Sequence, residues 1–187
     1  LPELRVHEEV VSVDNSTAGT DRDGQVKMFR EAALGLADAA KERRDNMSEK
    51  MARVVEIINR PENKDEHFLL WHDLEKEREE LCRVIPGCKA VYGSQNDEEA
   101  DKVISDFKDG RLKYLAAKPE MLGEGLNFQY HCHKAIMFID YRFNDKFQAI
   151  ARIYRFMQKH PVDLYLVYAE SEGEIYKSFM QKWAQHK

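Results

Sequence analysis

The chain has 187 residues, 43% of them hydrophobic and 34% charged, with a formal net charge of −5. That length allows one domain with a full core, and the composition fits a soluble globular domain with a charged surface. The acidic balance excludes a strongly basic nucleic-acid glove but leaves room for a local basic groove, and no apolar run approaches the roughly 18 residues that a membrane span needs.

In chain order, LRVHEEVVSV (4–13) is rich in β-branched residues and predicts a strand. DNSTAGTDRDG (14–24) reads as a polar, flexible loop. Residues 25–44 carry Met28, Phe29, Ala32, Ala33, Leu36 and Ala40 at helical spacing. SEKMARVVEIINR (48–60) is a second helix, with Ser48 as N-cap and Pro61 behind it. After PENKDE the texture changes. HFLLWH (67–72), KAVYG (89–93), LKYLAA (112–117), HKAIMFID (133–140) and VDLYLVYA (162–169) predict short apolar strands. Helices are predicted between and after them, over 75–85, 94–110 (capped by Asn96 or Asp97), 144–158 (capped by Asn144 or Asp145) and 171–185. KPEMLGEGLNFQ (118–129) is a glycine-punctuated loop.

Apolar strands joined through helices imply a mainly parallel sheet covered on both faces. Ligands of such sheets sit beyond the carboxyl ends of the strands. Phe68 and Trp71, and Trp183 with its helical neighbours, are expected in the core. The run EKEREE (75–80) is expected to be a solvated helix face. Three cysteines, Cys82, Cys88 and Cys132, cannot all pair. With no signal-peptide pattern they are expected to be reduced, in a cytoplasmic protein. HCH (131–133) lacks the CxxC or HxxxH spacing of a zinc site, so no metal is expected. The opening LPELRVHEEV, without a methionine, reads as part of a longer polypeptide.

In QAIARIYRFMQ (148–158), Arg152 and Arg155 are three apart, which on a helix puts them on one face with Gln148 a turn before. Guanidiniums are planar, bidentate donors that suit phosphate oxygens. A pair could stabilise charge during phosphoryl transfer. The plain alternative is two surface arginines on an amphipathic helix. Gly123 and Gly125 permit positive φ and close approach of backbone N–H groups to a ligand, and Asn127 adds a polar contact. There is no GxxxxGK(S/T) phosphate loop and no DExH-like acidic run.

The order FLLWHD, VYGS, DFKDG, YLAAKPEMLGEGLNFQ, AIMFID, QAIARIYRFMQ resembles the C-terminal RecA-like lobe of superfamily 2 helicases, closest to Swi/Snf-type translocases and phage-type DEAD/DEAH helicases. FLLWHD looks like motif IV, GEGLNFQ like motif V and QAIARIYRFMQ like motif VI, over residues 67–169. The resemblance implies a three-layer α-β-α RecA-like domain. Its core would span 67–187, with 1–66 as a lead-in strand, loop and helices of the same lobe. It implies that Arg152, Arg155 and Gln148 act on ATP whose phosphates and Mg²⁺ are held by an N-terminal RecA-like lobe. Gly123, Gly125 and Asn127 would lie at the nucleotide cleft. Gly93, Ser94 and Lys118 would contact the backbone of DNA, preferably double-stranded, through contacts that are sequence-independent. Ala151 and Met157 stand where the motif has glycine, and methionine is costly if the backbone there needs positive φ. The resulting expectation is the C-terminal motor lobe of an ATP-dependent DNA helicase or translocase, inactive as an isolated chain. The alternative is a non-catalytic RecA-like module that binds nucleic acid or protein.

Overall fold

The structure is a computed structural model describing residues 1–12, 46–122, 125–140 and 142–185. The loop and helix expected over 14–44, and Gly123, lie outside the described residues. The described strands are β1 (Leu4–Val11), β2 (Phe68–Trp71), β3 (Lys89–Val91), β4 (Tyr114–Ala117), β5 (Lys134–Phe138) and β6 (Val162–Ala169). They form one all-parallel six-stranded sheet in the order β1-β6-β5-β2-β4-β3. The described helices are α1 (Met47–Ile58), α2 (Glu75–Val84), α3 (Asp97–Lys108), α4 (Phe143–Ile150) and α5 (Gly173–Gln185).

Successive strand residues point to opposite faces, and both faces are apolar, so both must be covered. Leu69 and Trp71 of β2, Ala135 and Met137 of β5, and Leu164 and Leu166 of β6 pack into a core with Phe107 of α3, Ile150 of α4, and Phe179 and Trp183 of α5. Phe68 and Leu70, Ile136 and Phe138, and Tyr165 and Val167 point the other way, onto Met51, Val54 and Ile57 of α1 and Leu81 of α2. The result is the three-layer α-β-α arrangement, with Trp71 buried to 1% exposure.

Local chemistry sets the helix ends. The Glu98 N–H donates to Asn96 Oδ1 at 2.8 Å, opening α3 as its sequence predicts. Helix α1 starts one residue before the expected Ser48 cap, and the Lys50 N–H donates to the Asn46 carbonyl at 3.2 Å. The last expected helix boundary of consequence is wrong. The helix expected over 144–158 begins at Phe143 and stops at Ile150, and residues 151–157 are turns and bends. One distant and one local partner take backbone groups of this segment. The Arg152 carbonyl accepts from the Phe128 N–H at 3.2 Å. The Ile153 carbonyl accepts from Gln158 Nε2, also at 3.2 Å. Met157 lies in the left-handed region, at φ 73°. The apolar periodicity nevertheless runs on to Ile153, which is fully buried, so the pattern looks helical beyond the real end.

Candidate functional site

Four strands release the chain at the carboxyl edge of the sheet, at His72, Tyr92, Lys118 and Ile139. There a cleft of about 280 Å³ is lined by His72, Glu75, Gly93, Ser94, Lys118 and Glu120. The three residues expected to meet a nucleic-acid backbone therefore share one recess. Gly93 and Ser94 are exposed on its rim. Lys118 Nζ sits 2.6 Å from Glu75 Oε1. The Lys118 ammonium holds the Glu75 carboxyl below the usual range. Any phosphate reaching Lys118 thus competes with one carboxylate, which lies on the exposed first turn of α2.

His72 forms the floor of this recess. It is fully buried, and neither ring nitrogen has a hydrogen-bond partner among the described residues. Burial pulls its pKa down to about 4, against the upward influence of Glu77, Asp73 and Glu75. The imidazole is neutral near neutral pH, with one N–H to donate and one nitrogen to accept.

Beside it lies a buried charge cluster that sequence reasoning missed. Lys146 of α4 is wholly buried and pairs closely with Asp73, whose side chain is 3% exposed. Arg142 bridges Asp73 at 3.0 Å and Asp140 at 2.9 Å. Its backbone N–H also donates to Asp140 Oδ1 at 2.9 Å. Glu77, expected on a solvated face, turns inward. Its Oε2 accepts from the Asp73 and Leu74 N–H groups at 2.9 and 3.1 Å, capping α2. The other charges of that run do form surface pairs, such as Arg78–Glu75 and Lys76–Glu79. A signal for the cluster existed: both FLLWHD and AIMFID end an apolar run on aspartate, and Lys146 interrupts the inward stripe of Phe143, Ala149 and Ile150.

The two arginines lie elsewhere, on the turns after α4. Because the helix has ended, helical spacing does not align them. Leu122 and Asn127 hold them instead. Arg152 Nη2 donates to the Leu122 carbonyl at 2.9 Å. Arg155 donates to Asn127 Oδ1 in a close contact. Both arginines are partly exposed. Gln158 pins the segment from below through the Cys132 carbonyl at 2.9 Å. Gly125 is exposed at φ +83°, and a Cβ there would meet nothing within 4 Å. Its glycine serves the turn, leaving the space above it open. Gln148 is exposed on α4 itself and takes no part in this set of bonds.

The sequence matches no protein-family model and no curated protein. Solved structures do match in shape. One is the C-terminal part of the Fun30 ATPase domain, with TM-score 0.62 and 17% identity, covering 71% of this chain and 46% of that one. A second is the C-terminal domain of a S. cerevisiae Dbp5 variant bound to Gle1 and IP6, with TM-score 0.60 and 14% identity, covering 73% of this chain and 79% of that one. The fold is RecA-like. A longer Dbp5 chain, again with Gle1 and IP6, matches at TM-score 0.59 and 13% identity over 98% of this chain and 40% of that one. The RecA-like chain described here thus spans less than half of the Fun30 chain and of the longer Dbp5 chain.

Proposed function

We propose that this chain is the C-terminal motor lobe of an ATP-dependent helicase or translocase that acts on DNA, preferably double-stranded, in the cytoplasm. The observation that carries this reading is the coupling of two loops. Arg152 and Arg155, on the turns after α4, are tied to Leu122 and Asn127, and the recess of Gly93, Ser94 and Lys118 at the strand ends extends to Met121, next to Leu122. Both loops resemble the motifs that link nucleotide to nucleic acid in such lobes. The C-terminal part of the Fun30 ATPase domain shares the fold, in keeping with this role.

In this mechanism ATP and Mg²⁺ are held by an N-terminal RecA-like lobe of the same polypeptide. Lobe closure brings the γ-phosphate to Arg155 and Arg152. Arg155 exchanges the neutral amide oxygen of Asn127 for phosphate oxygens, and that charge-assisted bond is the stronger one. Release of Asn127 reports nucleotide state toward Lys118. The Gly93 and Ser94 backbone and the Lys118 ammonium then grip the phosphodiester chain without reading bases. Gln148, exposed on α4, faces the partner lobe.

The chain has no phosphate loop of its own, so the purified chain with DNA is expected to release no phosphate from ATP. Sustained turnover in that assay would contradict the division of labour between lobes. A second reading is favoured by one observation: both arginines already have partners within the chain. In a non-catalytic RecA-like module that binds nucleic acid or protein, those bonds would be their whole role.

A further inference from the structure

Cys82 in the last turn of α2 and Cys88 just before β3 bring their Sγ atoms to 3.9 Å. Both thiols open onto a cleft of about 610 Å³, lined also by Arg78, Lys89 and Tyr92. We propose that Cys82 and Cys88 form an oxidisable dithiol that a hydroperoxide converts to an intramolecular disulfide. The inference stands on these two side chains and is independent of the motor-lobe reading.

The two thiols differ in a way that sets their order of reaction. Cys82 is half-buried, whereas Cys88 is 8% exposed. The Cys88 thiol, followed by Arg78 and Lys89, stabilises the Cys82 thiolate and brings its pKa down to about 7. The same hydrogen bond, with burial, pushes Cys88 up. A low-pKa, accessible thiolate next to a resolving thiol is the arrangement on which peroxide acts. The Cys82 thiolate attacks one oxygen of the hydroperoxide, the O–O bond breaks, and Cys82 becomes a sulfenic acid while the second oxygen leaves as hydroxide. That hydroxide takes up a proton to become water (for an organic hydroperoxide the leaving group is an alkoxide, which becomes an alcohol). Cys88 sulfur then attacks Cys82 sulfur, the S–O bond breaks, and the departing hydroxide takes the Cys88 proton as water. Two thiols are oxidised and one peroxide is reduced. The S–S separation must close to about 2.05 Å, a short movement for side chains at a helix end and at a Pro86-Gly87 turn. The bridge would tie the end of α2 to the start of β3, the strand whose carboxyl end carries Gly93 and Ser94.

Cys132 is an internal control. It is 1% exposed, its thiol donates to the Lys134 carbonyl at 3.2 Å, and burial pushes its pKa up to about 12. The reduced chain should be treated with hydrogen peroxide, quenched, and examined by intact mass, thiol titration and peptide mapping. The expected result is a monomer lighter by two hydrogens, one remaining thiol at Cys132, a Cys82–Cys88 cross-linked peptide, and reversal by dithiothreitol. Cys82 should react about tenfold or more faster than Cys132. In Cys88→Ser the Cys82 sulfenic acid should persist and be trapped by dimedone. Three surviving thiols in the wild-type chain, or Cys82 oxidised to sulfinic acid with Cys88 still free, would overturn the proposal, and neither readout requires a variant to fold.

Discussion

The carboxyl edge of the sheet buries charges that a domain could avoid burying, and the residues concerned make separate claims. Lys146 and Asp73 are paired with almost no solvent access. Lys146→Met would leave the buried Asp73 carboxylate with the half-exposed Arg142 as its remaining ion-pair partner among those described, so it should destabilise the chain by about 1.5–3 kcal/mol in urea unfolding; a loss under about 1 kcal/mol would mean that water reaches the pair. His72 makes a pH-dependent claim. Its folded pKa of about 4 lies below the ordinary 6.5, so the unfolded chain protonates first as pH falls. Its contribution to stability is whole above 6.5, is lost as pH falls from 6.5 to 4, and changes no further below that. Between about pH 7 and about pH 5 the wild type should therefore lose about 2 kcal/mol more stability than His72→Phe. Parallel losses would show a hydrated imidazole.

At the scale of elements, the strands and most helices are legible in the sequence because two periodicities agree with turn chemistry. VDLYLVYA is β6 residue for residue, and Asn96 caps α3. The arginine segment is legible as a motif and illegible as a shape. Its apolar spacing continues to Ile153, while the hydrogen bonds that end α4 come from Phe128 and Gln158. The Phe128 bond is long-range, and competition of that kind for backbone groups has no local signature. Met157 does carry one: the motif puts glycine there, and the backbone keeps the left-handed conformation without it. That conformation costs a non-glycine residue about 1–2 kcal/mol, partly offset in glycine by its unfolded-state entropy. Met157 is 53% exposed, so little burial is lost on truncation. Met157→Gly should raise stability by about 0.5–1 kcal/mol, read from the urea midpoint. A clear fall would show that methionine is doing something other than enduring strain.

At the scale of the whole molecule, an all-parallel sheet with both faces covered concentrates polar groups at one edge, and the candidate site is that edge plus the loop returning beside it. The sequence places Gly93, Ser94 and Lys118 there because each follows an apolar run, and the structure gathers them into one recess. The sequence does not disclose the Asp73–Lys146–Asp140–Arg142 cluster as a unit, since Asp73 lies more than 60 positions before the other three. Nor does it disclose that Arg155 waits on Asn127. The most direct test of the motor-lobe account is DNA-stimulated ATP hydrolysis by the polypeptide that carries both lobes, wild type beside Arg155→Ala. Loss of turnover by about 10³-fold or more, with DNA binding retained, is the predicted result. Equal turnover by the two proteins would mean that Arg155 serves only to hold Asn127, and the account of this chain as an arginine-finger lobe would fail.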